Sequence, residues 1–118
     1  MPIKTALLDQ EIISGLGNIY ADEVLFKAGI LPTRETKTIT KSECEQIITS
    51  AKTILIKAIE EGGTTIKSYT SSLGVTGNYQ NYLEVHKREN KPCHKCGNLI
   101  KRIKINGRST YYCEQCQK

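Results

Sequence analysis

Four of the five cysteines in this 118-residue chain form two matched pairs, Cys93-x2-Cys96 and Cys113-x2-Cys116. Each pair sets two thiolates across one tight turn, and 16 residues separate the pairs. That separation suits a β-hairpin that brings all four sulfurs onto one tetrahedral ion. Four protein thiolates leave no open position for water, so the expected centre is one structural zinc ion. A redox dithiol or an iron site is the alternative. A segment of about 30 residues buries too little surface to fold alone, so the metal must supply the missing stability. His94, inside the first pair, is then a bystander, and Cys44 reads as a small core residue on an apolar helix stripe.

Charge points to a polyanion. The net charge is +5, but residues 1–83 hold 8 basic and 9 acidic side chains, while residues 84–118 hold 9 basic and 3 acidic, a local net of +6. Lysines and arginines clustered in this way release counterions when they neutralise phosphates. The alternative is a solvated basic face. No Ser–His–Asp set or working carboxylate pair stands out; Asp22-Glu23 and Glu60-Glu61 read as solvated helix charges. No apolar run reaches membrane-spanning length, and no signal-peptide pattern opens the chain. A cytoplasmic location is expected, where thiols stay reduced and paired cysteines serve metals.

These residues need elements to position them. Leu7 to Ala28 predicts two helices around Ser14-Gly15-Leu16-Gly17-Asn18, whose glycines permit a sharp reversal, and Gly29 stops the second helix. Thr40-x-x-Glu43 is a capping-box pattern opening a longer helix. Its stripe runs Cys44, Ile47, Ile48, Ala51, Ile54, Leu55, Ala58 and Ile59, and Gly62-Gly63 ends it. A short helix is predicted from Thr64 or Thr65 to about Tyr69, and a loop over 71–82. Leu99–Ile105, Asn106-Gly107 and Arg108–Tyr112 read as a hairpin. The expected fold is mainly α with a small β-hairpin zinc finger. It divides into a helical domain over 1–70, a connection over 71–90 and a four-cysteine ribbon over 91–118.

Two patterns together resemble one family. Leu7-Leu-Asp-Gln, Gly15-Leu-Gly-Asn-Ile-Tyr-Ala-Asp-Glu23 and Phe26-Lys-Ala-Gly-Ile-Leu-Pro32 are similar to the helix–two-turn–helix motif of the formamidopyrimidine-DNA glycosylases (Fpg, also called MutM). Ile100 through Gln117 is similar to that family's C-terminal zinc finger, and Gly62-Gly63-Thr-Thr65 and Gly74…Gly77-x-Tyr79-Gln80 fit in order. The resemblance implies binding to double-stranded DNA carrying a lesion or abasic site, by a monomer. Asn18, with Gly17 beside it, and Arg108 would hold phosphates flanking an extruded nucleotide, and Lys4 would be a further phosphate contact. The residues agree with this. Asn18 stands where a helix N-terminus begins, where free N–H groups bind anions, with a plain helix cap as the alternative. Arg108 follows a hairpin turn, which sets a bidentate donor at a tip, with a solvated charge as the alternative.

The same resemblance makes 71–82 the family's loop over the flipped base, with Ser72, Thr76 and Tyr79 as its neighbours. The family usually carries an aromatic and a glycine after that loop; here the run is Val85-His86-Lys87-Arg88. Family enzymes are bifunctional glycosylase/lyases that attack through an N-terminal proline beside a glutamate, with a β-sandwich domain ahead of the part matched here. Pro2 is followed by Ile3, and Met1–Lys4 fits the family's interdomain linker. No catalytic residue is therefore expected here, and the chain alone is expected to be inactive. A zinc-ribbon adaptor that binds protein is the competing function.

Overall fold

The computed structural model describes residues 1–9, 17–62 and 83–118. Among these, three α-helices precede one antiparallel hairpin: α1 (Ile3–Asp9), α2 (Gly17–Ala28), α3 (Lys41–Gly62), β1 (Lys101–Ile105) and β2 (Arg108–Tyr112), with a single 3-10 turn at Thr36–Thr38. The turn between α1 and α2, the predicted helix near 64–69 and the loop over 71–82 lie outside the described residues, as do Ser72, Thr76 and Tyr79.

The first helix begins at Ile3, inside the stretch expected to be a linker. Pro2 needs no amide partner at a helix start, where its fixed φ suits the first turn. It pairs with Glu35 in an isolated antiparallel bridge, and the Ile3 N–H donates to the Arg34 carbonyl at 2.6 Å. The chain's first residues are thus sewn to the loop before α3.

The long helix opens as its sequence predicts. The Thr40 hydroxyl accepts from the Glu43 N–H and the Glu43 carboxylate accepts from the Thr40 N–H, each at 3.0 Å. Arg34 adds a two-pronged pair to the same carboxylate, at 2.9 and 3.0 Å. The buried stripe of α3 is narrower than the sequence suggests: Ile47, Ser50, Ala51 and Ile54 face inward, while Ile48 and Cys44 are exposed. Cys44 is therefore not a core residue. It sits one helical step outside the stripe, where apolar spacing alone cannot separate an edge from a core position.

The second helix is central. Tyr20, Ala21, Val24 and Leu25 pack with Ile3, Leu7, Ile30, Ile47, Ala51 and Ile54 in the larger core. Phe26 leaves the other side of α2 and joins Val85, Cys93, Ile100 and Cys113 in a second core beneath the ribbon. The helix ends at Gly29 (φ +78°), with the Gly29 N–H donating to the Phe26 carbonyl and the Ile30 N–H to the Leu25 carbonyl. This paired closure satisfies the last carbonyls and requires left-handed backbone.

The hairpin pairs Lys101 with Tyr112 and Ile105 with Arg108 across Asn106 and Gly107, whose φ values of 50° and 80° make the mirror-image turn that matches strand twist. Leu99, expected in the first strand, lies outside it and bridges Pro92 instead.

Candidate functional site

Cys93, Cys96, Cys113 and Cys116 bring their sulfurs within 4.8 Å of one another. The Cys93–Cys116 and Cys96–Cys113 separations are 3.8 and 3.4 Å. Tetrahedral zinc–sulfur bonds of about 2.3 Å place sulfurs roughly 3.8 Å apart, so the donor set fits the ion. Local backbone shapes each knuckle: the Gly97 N–H returns to the Cys93 carbonyl at 2.9 Å, and the Gln117 N–H to the Cys113 carbonyl at 3.0 Å. Burial and the neighbouring thiols push Cys116 up to about 12. Four bare thiolates cannot share this space; a divalent cation compensates their charge. His94 instead reaches Glu84 at 2.7 Å, outside the cluster.

The ribbon docks onto one side of α2, where Asn18, Asp22 and Phe26 recur every fourth residue. Asn18 Nδ2 donates to the Ser109 carbonyl at 2.9 Å. Asp22 accepts the Tyr111 N–H at 3.3 Å, pairs with Lys4 Nζ at 2.7 Å and meets His86 Nδ1 at 2.7 Å. Phe26 reaches the second core. One step round the helix, Glu23 gathers the backbone N–H groups of Glu84, Val85 and His86 at 2.8, 2.9 and 2.9 Å. Burial pushes its carboxyl above the usual carboxylate range, against these three amides, which favour the charged form. Asp22 and Glu23 are 1% and 2% exposed. They are interior ties, not the solvated charges that their sequence suggests.

Lys4 is also interior, at 0% exposure. Its ammonium sits among Asp22, Thr110 Oγ1 at 2.8 Å and the Ser109 carbonyl at 3.1 Å. Burial pulls its pKa down, with Asp22 opposing. This enclosed ammonium, already facing three oxygens, is held inside the seam and not at the solvent-facing surface where a phosphate contact is expected. Arg108, by contrast, is exposed, and its side chain has no partner among the described residues.

Residues 1–70 match the Formamidopyrimidine-DNA glycosylase H2TH domain, and residues 90–118 match the zinc finger found in FPG and IleRS. The chain belongs to the formamidopyrimidine-DNA glycosylase family. It is 48% identical to the Formamidopyrimidine-DNA glycosylase of an Exiguobacterium species and 53% identical to that of Prochlorococcus marinus, each over 98% of this chain. It spans 42% and 41% of those relatives' lengths. The Lactococcus lactis Fpg bound to abasic-site DNA superposes with a TM-score of 0.84 at 43% identity, over 99% of this chain and 42% of that one. A MutM complex with DNA containing carbocyclic 8-oxo-G superposes with a TM-score of 0.84 at 41% identity, with the same coverage. The four thiols are the metal-binding arrangement of this family's zinc finger, which holds one structural zinc. Among the described residues no helix is long and apolar enough to cross a membrane.

His86 stacks edge-on against Tyr111 with centroids 4.9 Å apart. Lys87, next along the chain, holds a left-handed backbone at φ +61°. Asp22, Glu23 and His86 are the site residues that sequence reasoning missed. The four-residue spacing from Asn18 to Phe26 was the available signal for Asp22; no local pattern marks Glu23 or His86.

Proposed function

We propose that this chain grips duplex DNA carrying a lesion or an abasic site, as the DNA-binding part of an Fpg-type glycosylase/lyase, with Asn18 and Arg108 on backbone phosphates. One observation carries the reading. The Asn18 amide is bonded to Ser109, the neighbour of Arg108, so two phosphate candidates 90 positions apart share one surface. The first N–H groups of α2 lack intrahelical acceptors, which favours an anion beside Gly17 and Asn18. Arg108 leaves the hairpin with its guanidinium uncommitted among the described residues, and Arg102 and Lys104 are exposed on the facing strand. The relatives solved with DNA support the same partner.

The division into a helical domain over 1–70, a connection over 71–90 and a ribbon over 91–118 belongs to this reading. So does a loop bearing Ser72, Thr76 and Tyr79 beside the extruded base, on a chain that acts as a monomer. Excision chemistry is assigned to none of the residues described: Pro2 is engaged in its bridge to Glu35 at the head of α1. Borohydride treatment with abasic duplex should trap no adduct, and a covalent link through Pro2 would overturn that part.

The decisive experiment is a titration of labelled duplex across about 50 to 200 mM salt. The wild type should bind with an affinity that falls steeply with salt, and tighter when the duplex holds an abasic site. Arg108→Ala should weaken binding on every sequence and flatten the slope of log affinity against log salt by about 0.9. An unchanged slope in Arg108→Ala, or binding indifferent to salt in the wild type, refutes the assignment.

A further inference from the structure

We propose that Asp22 is a positioning residue for the DNA grip: it orients Arg108 relative to Asn18 by holding three separate segments at one buried carboxylate. The proposal rests on the DNA-binding reading above. Its ground is the convergence at Asp22 of Lys4 from α1, His86 from the segment before the ribbon, and the Tyr111 N–H from β2. Lys4 then carries the constraint back into β2 through Thr110 Oγ1 and the Ser109 carbonyl. The Ser109 carbonyl also receives Asn18. Residues 109, 110 and 111 are therefore each tied to the helical part, and Arg108 extends from the first of them.

A two-stranded hairpin has little rigidity of its own. Apolar contacts beneath it set its distance from α2, but they are non-directional and permit sliding along the helix. Charged hydrogen bonds in a dry seam are directional and fix register. Sliding by even one residue would move Arg108 by about 3.4 Å, more than a guanidinium–phosphate hydrogen bond tolerates. An ion pair of this kind need not be what stabilises the fold, because buried pairs are often exchanged for apolar residues of similar size without loss of stability. What such an exchange removes is the direction.

The test uses the full zinc-loaded chain and the duplex titration above. Asp22→Asn keeps the shape but leaves Lys4 without its counter-charge. It should bind duplex at least tenfold more weakly and lose about one unit of salt slope, as Arg108→Ala does. Combined with Arg108→Ala, it should cost little more than either change alone, because both remove the same contact. A merely structural lesion would lower the folded fraction, leave the slope of the remainder intact and add to Arg108→Ala. Should Asp22→Asn fail to fold, the apolar exchange Lys4→Met with Asp22→Leu replaces it and should show the same slope loss with wild-type zinc content. A folded variant of either kind that binds with the wild-type slope overturns the proposal. Failure of the wild type to bind, or of Arg108→Ala to change the slope, overturns the DNA reading itself, so the two failures are told apart.

Discussion

Replacing Gly29 by alanine isolates one energetic term at the joint between helix and ribbon. Gly29 closes α2 at φ +78°, and its carbonyl accepts the Lys118 N–H at 3.0 Å. A Cβ built there meets only the Cys116 carbonyl oxygen, at 3.7 Å, which is ordinary van der Waals contact. Steric clash therefore contributes nothing, and the cost is that of left-handed backbone for an L-residue, about 1–2 kcal/mol. For a domain of this size that corresponds to a fall in melting temperature of roughly 4–10 °C. Gly107 provides the internal control: its φ is 80° and nothing lies within 4 Å of its Cβ position. Gly107→Ala should cost the same, although it lies far from the seam. Gly29→Asn should cost less than Gly29→Ala, because asparagine enters this region more readily. Urea melts of the zinc-loaded protein, followed by far-UV circular dichroism, measure all three. Indifference of Gly29 to alanine would refute the backbone argument. A loss above about 4 kcal/mol, in the range of severe packing defects, would show that the ribbon lies closer than the 3.7 Å contact.

Three further outcomes follow from the same packing. Chelating the zinc should expose the β1–β2 amides to hydrogen exchange while α2 and α3 stay protected, since the larger core draws on helical residues and Ile30, with no ribbon residue; simultaneous melting of both parts would contradict this. Ile100, fully buried beneath the ribbon, should cost about 2–5 kcal/mol as Ile100→Ala, read as a lowered urea midpoint at fixed zinc. Arg34 and the Thr40 N–H hold the Glu43 carboxyl below the ordinary carboxylate range. A lowered folded value stabilises the fold above the ordinary carboxylate range and is lost as pH falls through it. The stability gap between wild type and Glu43→Gln should accordingly close between about pH 6 and pH 3, and a gap that widens in acid would reverse the sign.

The parts set by local chemistry were readable in order along the chain. The capping box at Thr40 and Glu43, the stop at Gly29, the Asn106-Gly107 turn and the cysteine spacing each depend on neighbours a few residues apart, and each stands where its pattern put it. The start of α1 was missed because Met1–Lys4 carries no cap signal; its amides are satisfied by Pro32 and Arg34, some thirty residues away. Cys44 was misplaced because a stripe of apolar residues does not say how wide the covering surface is.

The order of residues along the chain determined that a metal would hold its tail and that positive charge would gather there, since thiolate spacing and the distribution of charge along the sequence do not depend on folding. Only the tertiary structure decided which charges work inside and which face out. Lys4, Asp22 and Glu23 are indistinguishable in type from surface residues, yet they are enclosed because α2 is covered on two sides, by α3 and by the ribbon. The energy of a charged group depends on whether water or a fixed partner surrounds it. That environment is assembled from residues about 20 to 110 positions apart, which no local pattern records.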